Sequence, residues 1–374
     1  MPGMSVISQR PRAGALKRSR QPQRRFTKRP MPLLHNRLSQ SQILALISCL
    51  AAILVARVVY LPNQLADYDV YTVIVDNIYY GMGRSFYDVE IGNTILFLWT
   101  RSIVGNTLNT VDILNYLLTI FYCASIILLA RLYRSEWPGI VFAVAVFGPL
   151  LAFVTVRATP AYMAMAFAVV LAYRGQWATF ALIAVASLFH SSAAIGALPV
   201  LVLFLQRRFG LFRWLNRSTP TFLIGGGLLA FVSILFQQQF SDLMLFVISA
   251  LGISDKYLTY LSSMQTSTNA SSMIDPISVY DRAYSAIAAA IALAAMLQKN
   301  QRSVELRGYV LSSFVIFVAL TFSPVAAFRQ SIYWLLPVML VFPWRQSGFR
   351  GGVLIAVPLV ALAIFLFQLN GVRV

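Results

Sequence analysis

The chain has 374 residues, of which 59% are hydrophobic and only 11% charged, with a mean hydropathy of +0.72. A soluble domain carries about a quarter charged residues, so a water-soluble globule is excluded. Two cysteines build neither a disulfide framework nor a metal site.

Much of the formal charge of +18 sits at the start: residues 1–37 hold ten Lys or Arg, from Arg10 to Arg37, and no acid. With few apolar residues, this stretch predicts a disordered basic tail over 1–40. A basic tail can bind nucleic acid. Here a bilayer-length run follows it at once, so it reads as an orientation signal touching anionic lipid, with no nucleic-acid partner. It is too long and too basic for an ordinary cleaved signal peptide.

Apolar runs then recur to the C-terminus. They predict an all-α, polytopic integral membrane protein of about 10–11 spans, a single helical domain over 41–374. The spans fall at 42–61, 110–131, 137–156, 160–174, 177–190, 192–206, 220–238, 282–298, 308–325, 329–344 and 351–370. Pro138, Pro160, Pro199, Pro220, Pro324 and Pro343 punctuate many of their ends. Cys49 and Cys123 lie inside spans and read as small buried hydrophobes.

Placing the N-terminus in the cytoplasm puts 22 of 30 basic residues inside and ten of twelve acids on the opposite side or at that interface, leaving only Glu136 and Glu305 inside. The reverse orientation inverts both tallies, against the positive-inside rule. The register depends on 93–104, which contains Arg101 and is too short to span. It is expected as an amphipathic or re-entrant helix in the outer loop 62–109; a second outer loop covers 239–281.

Ionisable residues gather at the outer ends of spans. The first loop carries Asp67-Tyr68-Asp69-Val70-Tyr71, then Asp76, Arg84, Asp88 and Glu90. Arg157 ends the third span, His190 the fifth, Arg282 opens the eighth, and Arg329 and Tyr333 open the tenth one helical turn apart. A lone interfacial arginine more often snorkels to head groups than binds a substrate, and the tyrosines alone would make an aromatic belt. Their coincidence on one face points further. Several arginines suit a multiply charged anion such as pyrophosphate, and a carboxylate or imidazole beside them can accept a proton from an attacking hydroxyl. No phosphate-binding Gly-x-x-x-x-Gly-Lys motif and no His/Cys cluster is present, so no nucleotide, metal or other cofactor is expected.

The order and spacing of Asp67-Tyr68-Asp69-Val70-Tyr71, Val89-Glu90-Ile91-Gly92, Arg157, Phe189-His190-Ser191-Ser192-Ala193-Ala194-Ile195 and Arg329-x-x-x-Tyr333 resemble the EpsG/Wzy family of bacterial polysaccharide polymerases. Arg157 is followed by Ala158-Thr159-Pro160 where that family usually has Gln or Gly. The first outer loop is also similar to that of C-type glycosyltransferases. The resemblance implies a metal-independent inner-membrane glycosyltransferase that extends O-antigen, capsule or exopolysaccharide on the periplasmic face. Its partner substrate would be an undecaprenyl-pyrophosphate-linked oligosaccharide, with membrane lipid around it and a chain-length regulator beside it. On this expectation Arg157, Arg282 and Arg329 hold pyrophosphate, Tyr68, Tyr71 and Tyr333 bind substrate, and the catalytic base is one of His190, Glu90, Asp67 and Asp69. An O-antigen ligase or another lipid-linked-sugar transferase fits the same residues. A transporter of lipid-linked or anionic solutes is the rival from another class, although mid-span positions are nearly all apolar and no internal repeat is visible.

Overall fold

The computed structural model describes residues 38–64, 68–81, 90–154, 156–212, 301–320, 324–342 and 359–367, with single positions at 214, 239, 242, 243, 246 and 369. The basic tail to residue 37, the predicted spans 220–238 and 282–298, and most of the loop 239–281 lie outside the described residues. All regular structure among the described residues is helical.

Helix α1 (Gln40–Val59) starts at a reciprocal cap: Gln42 N–H donates to Ser39 Oγ, and Ser39 N–H donates to Gln42 Oε1 at 2.7 Å. One side of α1 buries Leu46, Ile53 and Ala56. The other exposes Leu44, Ile47, Leu54, Val55, Val58 and Val59, a row that needs hydrocarbon rather than water around it. At 20 residues α1 is about 30 Å long, one bilayer core. Helix α4 (Thr107–Tyr133) is likewise long and apolar enough to cross, and Gln42 Nε2 reaches Ser135 O at 2.5 Å to pin the start of α1 beside its end.

The predicted loop 62–109 is mostly helix. A short 3₁₀ turn (Pro62–Gln64) leads to α2 (Tyr68–Tyr79), which the sequence reading did not anticipate. Asp69, Asp76 and Asn77 lower its hydropathy, yet Tyr71, Ile74, Val75 and Ile78 fall at helical spacing. They form a small separate core with Phe97, Val111 and Leu114. Helix α3 (Ile91–Val104) replaces the expected 93–104, starting two residues earlier and ending on Gly105, whose φ of 85° is a left-handed cap. Its polar side (Asn93, Thr100, Arg101) is buried and Ile91, Ile95, Trp99 and Ile103 face outward, the reverse of an amphipathic helix in water.

The run predicted as one span over 137–156 is helical to Val154, with a change of winding: α5 (Trp137–Pro149) passes directly into a π turn (Leu150–Val154), and a 3₁₀ turn (Val156–Ala158) leads into α6 (Thr159–Tyr173). Irregular backbone at this depth must recover its hydrogen bonds. Thr119 Oγ1 donates to Ala152 O at 3.1 Å, and Thr159 Oγ1 to Leu151 O at 2.5 Å.

Alanine-rich α6 is buried along most of its length, with α4, α7 (Ala178–Phe189), α8 (Ala193–Arg208) and α10 (Pro324–Val341) against it; α9 (Gln301–Ala319) packs on α8 and α10. At the end of the bundle where α6 and α8 finish, Arg207 Nη1 lies 3.3 Å from Glu305 Oε2, and the Tyr173 hydroxyl donates to the same oxygen. Arg207 Nε also donates to Tyr173 O at 2.9 Å, tying α6, α8 and α9. Because the cluster is partly exposed, Glu305→Gln is expected to lower stability by only about 1 kcal/mol, read as a drop of a few degrees in the melting temperature of the detergent-solubilised protein. An unchanged melting temperature would show that the pair is not a tie.

Candidate functional site

The opposite end of the bundle gathers the C-terminal ends of α1, α5 and α7 and the N-terminal ends of α4, α6, α8 and α10, with α2 and α3 beside them. At its centre is His190, the residue that closes α7 in extended geometry (φ −157°, ψ 116°). Its Nδ1 lies 2.8 Å from Ser192 Oγ and 3.3 Å from the Ser192 backbone N. A backbone N–H can only donate, so Nδ1 is the acceptor and the neutral ring carries its proton on Nε2.

From Ser192 the network crosses to α10. Ser192 Oγ is 3.0 Å from the Tyr333 hydroxyl, and Gln330 Nε2 donates to Ser192 O at 3.0 Å. Tyr333 is buried, its ring 4.5 Å from that of Tyr162 on α6, which in turn lies 6.4 Å from the His190 imidazole. Gly196, one turn into α8, lets Tyr333 approach: a Cβ there would meet the ring at 2.8 Å.

Glu90 arrives from the other side at the N-cap of α3, where the helix dipole favours its charge. Its Oε1 is 4.0 Å from His190 Nδ1, too far for a hydrogen bond but close for a Coulombic one. Asn93, one turn along α3 and fully buried, donates to Phe189 O at 2.7 Å and faces Glu90 Oε2 at 3.4 Å, so α3 is fastened to the residue before His190.

Arg157 stands on the 3₁₀ turn before α6, part-buried, its Nη1 enclosed with no hydrogen bond among the described residues. Arg329 is part-buried in the first two turns of α10, one turn from Tyr333. Asp69 is exposed on α2 and takes no part in the His190 cluster; its carbonyl accepts from Thr72 Oγ1 at 2.7 Å. Tyr71 packs in the small α2–α3–α4 core, and Tyr68 hydrogen-bonds Asp112. Burial, then Asp112 and then Asp69 push the Tyr68 hydroxyl up to about 12, so it stays a donor. Asp67 and Arg282 lie outside the described residues.

Sequence reasoning gave no role to Ser192, Tyr162, Gln330, Asn93, Arg57 or Asp112. Ser192 sat in the quoted motif, and Asn93 falls three residues after Glu90, a spacing that places both on one helix face. Arg57 is the single charged residue of the first apolar run, a signal in itself.

The apolar outer faces of α1 and α3, and a polar cluster at one end of the bundle, mark a helical membrane protein with a candidate site among its helix ends. The chain belongs to the EpsG family, whose model matches residues 42–371. Comparison with curated proteins and with solved structures gives no match.

Proposed function

We propose that this protein is a polysaccharide polymerase of the bacterial inner membrane, with 10–11 spans, its N-terminus in the cytoplasm and the His190 cluster facing the periplasm. It transfers a growing glycan from undecaprenyl pyrophosphate to a hydroxyl of a new lipid-linked repeat unit. Membership of the EpsG family supports a glycosyltransferase-like role in polysaccharide biosynthesis. The observation that carries the reading is the connected array Glu90, His190, Ser192 and Tyr333 on α3, α7, α8 and α10, with two arginines at the same end.

The acceptor hydroxyl attacks the anomeric carbon of the donor sugar, a new C–O bond forms, and the bond from that carbon to pyrophosphate breaks. The acceptor proton passes to Ser192 Oγ as the Ser192 proton passes to His190 Nδ1. The imidazolium so formed faces the Glu90 carboxylate, an interaction stronger after transfer than before it, which is what lowers the barrier. Arg157, Arg282 and Arg329 take the charge that develops on the leaving pyrophosphate. Asp67 and Asp69 orient sugar hydroxyls, Tyr68 contacts the substrate from α2, and Tyr71 holds α2 in place through the small core.

The test is reconstitution of the purified protein with a matched lipid-linked repeat unit and EDTA throughout. A ladder of longer glycans is expected. Movement of lipid or solute across the vesicle without any extension overturns the proposal in favour of a transporter. A single transfer to a lipid A acceptor, with no ladder, makes the protein a ligase.

A further inference from the structure

Arg57, two residues before the end of α1, is 2% exposed, and none of its three guanidinium nitrogens makes a hydrogen bond among the described residues. It stands about 22 Å along α1 from Gln42, within the outer third of a bilayer core. Among the described residues its charge is met by aromatic faces and a through-space field. The Tyr116 ring lies 4.9 Å from the guanidinium carbon and the Phe153 ring 5.6 Å, while Asp112 acts on it through space without an ion pair. Two cation–π contacts do not replace the hydration of a buried guanidinium, whose donors carry a desolvation penalty until something accepts from them.

The surroundings define what fits. Phe153 belongs to the π turn that continues into the 3₁₀ turn carrying Arg157, four residues on, where Nη1 is likewise enclosed and without a hydrogen bond. Asp112 Oδ1 is also enclosed without a hydrogen bond among the described residues, and Tyr68 hydrogen-bonds the same carboxylate. A fixed guanidinium fork under the influence of one carboxylate is the complement of a phosphate group joined to a hydroxylated sugar. We infer that Arg57 forms a buried phosphate subsite between α1, α4 and the α5–α6 turns, which takes a phosphate of the lipid-linked sugar pyrophosphate while Asp112 accepts from a sugar hydroxyl. This rests on the proposed function for the ligand's identity and extends it with a residue and a depth.

A buried charge with no hydrogen bond among the described residues makes two opposite demands on one variant. Arg57→Met keeps the length and apolar stem and removes the charge, so the unliganded protein is expected to melt at a higher temperature. The same variant should lose the melting shift that geranylgeranyl pyrophosphate gives the wild type, with affinity weakened about 10- to 100-fold. Arg57→Lys, a point charge without the fork, should restore part of the shift.

Melting curves in detergent with geranylgeranyl pyrophosphate, inorganic pyrophosphate and phosphatidylglycerol separate the sources. A shift with either pyrophosphate that disappears in Arg57→Met supports the subsite. A shift with phosphatidylglycerol alone makes the site a contact for bulk lipid and overturns it. A lower melting temperature or a failure to fold in Arg57→Met also overturns it, because the guanidinium then has a structural partner. So does a shift retained in that variant. If the wild type extends glycans and Arg57→Met binds and extends equally, the subsite fails while the polymerase reading stands; if the wild type neither binds nor extends, both fail.

Discussion

Replacing His190 with Ala is expected to slow glycan extension about 10²–10⁴-fold, the range that a positioned general base contributes. The loss should fall on kcat more than on KM, because the imidazolium and its attraction to Glu90 exist only once the proton has moved. Glu90→Gln keeps the shape of the N-cap but removes the charge, so it should lose less than His190→Ala. Ser192→Ala, which severs the 2.8 Å link to Nδ1, should lie between them. Arg157→Ala is expected to lose about 10²–10³-fold, as when one donor to a developing anion is removed. The check is the initial rate of ladder formation with each variant at matched folded concentration. A His190→Ala enzyme within threefold of wild type would remove the ring from the mechanism and return Glu90 to the role of base.

Gly92→Ala is expected to abolish most activity while the protein remains folded. A Cβ on Gly92 would stand 2.8 Å from Leu188 O and 3.1 Å from both Leu188 C and Phe189 Cγ. Backbone at the end of α7 cannot turn aside as a side-chain tip can, so α3 must retreat. The retreat stretches the 2.7 Å bond from Asn93 to Phe189 O and draws Glu90 away from His190. Overpacking of this kind destabilises by about 1–3 kcal/mol, but a displacement near 1 Å at a catalytic group is enough for about a 10²-fold loss of rate. Gly148→Ala is the control, since its Cβ would meet Ile53 Cδ1, the far end of a flexible side chain, and activity should stay within about twofold of wild type. Equal losses in both variants would show that the bundle as a whole, not the α3–α7 contact, limits the rate.

Hydropathy alone made the helices legible. Lipid forces every spanning backbone group into an internal hydrogen bond, so an apolar run of bilayer length has one structural answer, and α1 and α4 lie within three residues of their expected ends. The short helix with Arg101 was visible for the same reason, by being too short to span. Helix α2 was not, because its apolar face is narrow and its acids lie among it; only the packing of Ile74 and Val75 against Phe97 of α3 and Leu114 of α4 gives it a place. The change from α to π winding after Pro149 was hidden inside an unbroken apolar run, since hydropathy registers composition and not the carbonyls that Thr119 and Thr159 satisfy.

For the site, the sequence by itself determined which ionisable residues could not rest in hydrocarbon, since their charge is costly there wherever the chain goes. That singled out Asp67, Asp69, Glu90, Arg157, His190, Arg282 and Arg329 as residues needing a reason. Which of them meet was decided only by tertiary structure. Glu90 and His190 are one hundred positions apart and face each other because Gly92 lets α3 lie against the end of α7. Ser192 and Tyr333 are 141 positions apart and meet because Gly196 leaves room for the ring. The tautomer of His190 was likewise beyond the sequence, since it depends on a backbone N–H reaching Nδ1, a matter of how the chain turns between α7 and α8. Close approach between helices is set by missing side chains, and a pattern of residue types carries no record of which gap a distant ring will fill.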